Sequence, residues 1–229
     1  MSELCKWIHG ALISLPPIRY SFSLNQLTEN GIYFFYEEGE SWGHNGNQQR
    51  IVRIGTHREG NFRSRIKERF LLDERRMGFD KTEPAPKDRS IFRKNIGRAL
   101  LNRARDDYLR IWEIDFTTRK NLDRYADLRD IDKEKRTELE ITRILRTDFS
   151  FRAIPLQSEV KRMGRGGLEA RLIGTVARCD LCEPSNSWLG RHSPKPEIRE
   201  SGLWLVQHLS NPPIGASDRG TISKAIDSA

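Results

Sequence analysis

The chain has 229 residues, with 40 Lys and Arg against 32 Asp and Glu, a formal charge of +8 and a pI near 9.6. At 36% hydrophobic and 31% charged it can fold around a modest core, and no apolar run approaches the ~18 to 20 residues that a bilayer span needs. The basic excess favours an anionic partner, nucleic acid first, and the odd count of 3 cysteines argues against a disulfide framework.

Residues 1–27 read as an N-terminal extension. Trp7, Ile8, Leu12 and Ile13 have helical spacing, and Pro16-Pro17 ends that segment. No small-residue cleavage site follows the apolar patch, so no signal peptide is read and a cytoplasmic protein is expected. The aromatic and β-branched run 32–36 predicts a strand, 37–49 a polar loop turning at Asn45-Gly46, and 51–54 an antiparallel partner strand. A basic helix is expected over 62–72, with Ile66, Phe70 and Leu71 inward. A loop is expected over 77–89 and a second basic helix over 90–105. Residues 106–136 are almost continuously charged, which predicts a helical insertion with a solvated face. The end of that helical region at 138–145 precedes a third strand over 149–156. A further helix is predicted over 168–177, and the Ser-, Gly- and Pro-rich 210–229 read as a disordered tail. The expected fold class is α/β: a small, mainly antiparallel three-stranded sheet flanked by helices, with helical insertions.

Three groups of residues sharpen this reading. The first strand carries Gly31-Ile32-Tyr33. The second ends Arg53-Ile54-Gly55-Thr56-His57, and the helix after it opens Asn61-Phe62-Arg63-Ser64-Arg65-Ile66. In that order they resemble the GIY-YIG nuclease superfamily. The Gly-Thr-His ending resembles a branch that includes some type II restriction endonucleases. The segments 88–100, 184–190 and 198–206 resemble the same branch, so the resemblance covers most of 28–209. Arg53 departs from it, standing where most members have a second Tyr.

Phosphodiester hydrolysis needs a deprotonated water, charge stabilisation at phosphorus, a metal that polarises the phosphate and help for the leaving oxygen. Tyr33 is a candidate base if its neighbourhood is basic; the alternative is a core aromatic like Phe34 and Phe35. His57 sits beyond a Gly turn and titrates near neutrality, so it could take or relay a proton, or be an exposed loop histidine. The resemblance assigns the phosphate-binding arginine to Arg65, with Arg63 as second choice, and the metal-binding carboxylate to Glu169. A first-turn Glu is also favoured by the helix dipole alone. The resemblance further places Ser185 and Asn186 near the site. Arg53, Arg63, Lys67, Arg69, Arg89, Arg93 and Lys94 are candidate DNA contacts. Cys179-x-x-Cys182 with His192 makes only part of a zinc site, and Cys5 is distant in sequence, so the reading is against zinc.

The expectation is therefore a DNA endonuclease acting on double-stranded DNA. It would use one Mg²⁺ held by Glu169, with Mn²⁺ able to substitute. A palindromic target would favour a homo-oligomer. The competing readings are a non-cleaving nucleic-acid-binding module on a nuclease scaffold, suggested by Arg53, and a repair or structure-specific nuclease.

Overall fold

A computed structural model describes residues 2–72 and 79–228. The chain begins with helix α1 (Ser2–Leu12), a two-residue strand β1 (Ile18–Arg19), and the long hairpin β2 (Gly31–Trp42) and β3 (Asn45–Thr56). Next come α2 (Phe62–Phe70), α3 (Pro86–Arg89), α4 (Ile91–Arg103), α5 (Leu109–Trp112), α6 (Arg119–Tyr125) and α7 (Ile131–Asp148). Strand β4 (Phe149–Pro155) is followed by α8 (Leu168–Ala177), α9 (Pro196–Ser201) and α10 (Ala216–Asp227). The sheet has the order β1-β4-β2-β3, with every pairing antiparallel. The α/β expectation holds, and the short edge strand β1 makes four strands of the expected three.

Alternation along β2 sends side chains to both faces, as the two-residue period of a strand requires. Ile32, Phe34 and Tyr36 pack with α1, α8 and α10, while Tyr33 and Phe35 pack with α2, α4 and α7. A register shift lies between Phe35 and Tyr36. Before that shift Arg53 pairs with Phe35, on the same face as Tyr33. On that face Trp188 and Trp204 are buried, and both indoles donate to Glu37 Oε2 at 2.8 Å. Burial pushes the Glu37 carboxyl up to about 7.

Four expectations are corrected. The polar stretch 37–49 is not a loop: it extends both strands, and the turn is at Gly43-His44. The insertion at 106–136 is not simply a solvated face. Trp112 and Phe116 are fully buried in it, and Arg129 pairs with Glu134 at 2.6 Å without solvent. The 210–229 tail is not disordered, because α10 buries Ile222 and Ala225 against the sheet's second core. Asp218 accepts from the Gly215 N–H and pairs with Arg171 at 2.7 Å, which anchors the first turn of that helix. The predicted loop 77–89 lies partly outside the described residues, and its end is the short α3.

Candidate active site

Tyr33 and Gly55 face each other across the β2–β3 ladder. A Cβ on residue 55 would lie 2.0 Å from the Tyr33 hydroxyl, so only glycine lets the phenol lie across the partner strand. Around the ring stand Phe62 and two polar groups. The Arg69 guanidinium lies over it at 4.6 Å, and the His57 ring stacks beside it at 6.3 Å and 26°. Arg69 Nη2 also points at His57 Nε2, 3.5 Å away. Partial burial, then the charges of Arg69, Arg65 and Arg53, depress His57 to about 3, so the imidazole is neutral at neutral pH.

Glu169 comes in from the opposite side, on the first turn of α8, where the helix dipole favours a carboxylate. Its Oε1 accepts the Thr56 N–H at 3.0 Å, which ties it to the end of β3 between Gly55 and His57. Burial raises its pKa against the pull of that N–H, Arg53, His208 and Arg69. A pocket of about 340 Å³ opens in front of it, with Arg53, Asn95, Gln207 and His208 in its wall, and among the described residues Glu169 is the only carboxylate lining it. Arg53 is buried, stacks over Phe92 at 4.7 Å and donates through Nη1 to the Trp204 carbonyl. Burial lowers Arg53 to about 10, offset by Tyr33 and Glu169. Two buried guanidinium N–H groups at this place, Arg69 Nη1 and Arg53 Nε, have no hydrogen-bond partner among the described residues. Such donors are costly in a folded protein unless an anion completes them.

Comparison with protein families matches residues 18–217 to a GIY-YIG domain. The chain belongs to the GIY-YIG family. That is a nuclease superfamily, and the match spans the whole sheet and the helices from α2 to α9. No curated protein and no solved structure shows significant similarity to the chain.

In this GIY-YIG chain the structure gathers Tyr33, Arg53, His57, Arg69 and Glu169, and puts other predicted residues elsewhere. Arg65 stands at the rim, its side chain 40% exposed, bonded to Glu68 Oε2 at 2.9 Å and to the Arg89 carbonyl at 3.2 Å. Its charge reaches His57, but the guanidinium over Tyr33 belongs to Arg69, one helical turn later. Lys67 and Arg89 are exposed. Arg63 instead braces the chain before β2, donating to the Leu27 carbonyl at 2.8 Å.

Four residues expected at the site or on DNA lie elsewhere. Arg93 is fully buried and donates to Glu138, Thr142 and the Arg69 carbonyl, so no nucleic acid can reach it. Lys94 is buried and donates to the Glu113 carbonyl at 2.8 Å. Ser185 donates to Glu40 Oε1 at 2.5 Å, seven residues along β2 from Tyr33, and the exposed Asn186 goes with it. Asn95, Gln207 and His208 were not foreseen. Asn95 follows the two misread cations on α4. His208 reaches the wall through a left-handed backbone at φ 65°, a conformation that its sequence does not announce.

Proposed function

We propose that this chain is a divalent-metal-dependent DNA endonuclease, of the site-specific restriction type. The observation that carries the reading is the convergence of one half-buried carboxylate with Tyr33, a neutral histidine and two guanidinium groups that each have one N–H without a partner among the described residues.

The residues fit a divalent cation. Glu169 is the one carboxylate that the described residues bring to its pocket, and a hard cation such as Mg²⁺ takes one or two carboxylates and completes its shell with water and phosphate. A cation there would also relieve the cost of ionising a buried carboxyl. When bound, it would polarise the phosphate and neutralise charge on the leaving oxygen. Arg69 Nη1 and Arg53 Nε would take phosphate oxygens, stabilising the charge of the transition state. A phosphate on Arg69 would weaken its hold on His57 Nε2 and raise the basicity of the imidazole. His57, with Tyr33 beside it, would then accept the proton of the attacking water. The exposed Arg65, Lys67 and Arg89 would hold the backbone of the duplex at the rim.

The test is incubation of the purified protein with long, unmethylated duplex DNAs, with and without Mg²⁺, beside Glu169→Gln. Discrete fragments that need the metal and vanish in the variant are expected. Intact duplex that the protein still retards on a gel would instead make it a binding module. Cutting confined to branched or damaged DNA would make it a structure-specific nuclease.

A further inference from the structure

At the end of the hairpin remote from Tyr33, four side chains converge that the nuclease chemistry does not use. Cys5 comes from α1, His44 from the tip of the β2–β3 turn, and Cys179 and Cys182 from the loop that leaves α8. Their ligand atoms all lie within 4.8 Å of one another. Cys5 Sγ is 3.7 Å from Cys182 Sγ, and His44 Nε2 is 3.2 Å from Cys179 Sγ.

We infer that Cys5, His44, Cys179 and Cys182 bind one zinc ion in a closed structural site. Ligands at about 2.3 Å for sulfur and about 2.0 Å for nitrogen around a tetrahedral ion stand about 3.5 to 3.8 Å apart; the pairs at 3.2 and 3.7 Å and the 4.8 Å span of the cluster need only small side-chain adjustments to meet that spacing. A disulfide would need the sulfurs at about 2.05 Å, and all three cysteines are free. The ligands of an iron–sulfur cluster lie on separate irons and must be further apart than four atoms converging on one point. Three thiols, one imidazole and no carboxylate suit zinc, and four protein ligands leave no open position for catalysis. His192, the histidine nearest the Cys-x-x-Cys pair in sequence, is not part of the cluster; His44 and Cys5 complete it across the fold.

The surroundings are built for thiolates. The Leu181 N–H points to Cys179 and the Gly43 N–H to Cys182, donors that hold metal-bound sulfur in place. A Cβ on Gly43 would sit 1.5 Å from the Leu181 carbonyl oxygen, so glycine is needed for the hairpin tip to close on the Cys-x-x-Cys loop. His9 lies beside the cluster but is engaged on both nitrogens, by the Cys5 carbonyl at 2.9 Å and the Ile51 N–H at 3.0 Å. It stacks on Trp42 at 5.1 Å and serves as packing. The ion would thus fasten three distant segments, among them the far end of the helix that presents Glu169.

The full chain, purified without chelators, should carry about one zinc per molecule by inductively coupled plasma mass spectrometry. Cys182→Ser and His44→Ala should lose it, while Glu169→Gln should keep it. Cobalt-loaded wild-type protein should show tetrahedral d–d bands and thiolate-to-cobalt charge transfer, a readout that needs no variant to fold. Wild type with little zinc after growth in zinc and three readily titrated native thiols would overturn the inference. So would iron with broad visible absorption, or zinc retained by both ligand variants. Metal content is read without any cleavage assay, so it stands or falls apart from the nuclease reading.

Discussion

Two regions of this molecule bury arginines, and they do so to opposite ends. Across α3, α4 and α7, three buried cations are matched by carboxylates: Arg93 with Glu138 at 2.7 Å, Lys87 with Asp88 at 2.7 Å, Arg129 with Glu134 at 2.6 Å. Around Tyr33, Arg53 and Arg69 are also buried, yet each keeps an N–H without a partner among the described residues, and Glu169 there is bonded to a backbone amide. A completed ion pair is a structural element, and removing half of it strands a charge. An incomplete one is a place where a ligand's charge is missing. Burial alone does not separate scaffold from site; the state of the hydrogen bonds does.

Substitutions can break this contrast. The largest effect is expected for Glu169→Gln, which should lower cleavage by at least ~10³-fold with melting temperature and DNA retention near wild type, measured by single-turnover cleavage and thermal melts. Glu138→Ala should act in the opposite sense. It strands Arg93 in the core and should cost about 3 to 5 kcal/mol in denaturant titration, with activity per folded molecule preserved. Arg69→Gln should lower cleavage by about 10²-fold, and cost far less stability than Glu138→Ala because its Nη1 has no partner to lose. If Arg69→Gln unfolds the protein and Glu138→Ala only slows it, the contrast is wrong.

The smallest effect concerns pH. His57 is held near 3 in the folded chain against its ordinary 6.5. Below about 6.5 the unfolded chain gains a proton that the folded one does not, so this contribution lowers stability as pH falls from 6.5 toward 3 and adds nothing above 6.5. His57→Gln should flatten that acid limb in thermal melts run across pH. An unchanged limb would mean that the arginines do not act on His57 as described.

The sheet was legible because its residues are locally consistent: aromatic and β-branched runs, with glycine where the phenol crosses the ladder. Glu169 was legible through motif order. Arg93, Lys94 and Arg69 were not separable in advance, since all are basic residues at helical spacing, and their roles depend on whether Glu138, the Glu113 carbonyl or the Tyr33 and His57 rings lie opposite. Arg65 fitted the motif by spacing, but the two-sided rim of α2 turned its neighbour a full turn later onto Tyr33. The zinc ligands failed for a different reason: Cys5 and Cys182 are 177 positions apart, and only the folded hairpin tip brings His44 between them. The tail misled because its composition looks disordered, while Ile222 and Ala225 carry an apolar stripe that only a sheet face can reward.

The shared carboxylate of the two tryptophans has a further use. Trp188 and Trp204 both donate to one oxygen of Glu37, and their rings meet edge to face at 5.2 Å. Indole emission responds to charge at its N–H, and Glu37 changes charge near pH 7. The carbonyl of Trp204 in turn holds Arg53 in the wall of the pocket. The protein therefore contains its own optical probe: intrinsic fluorescence should follow ligand occupancy of that wall at neutral pH without any attached dye.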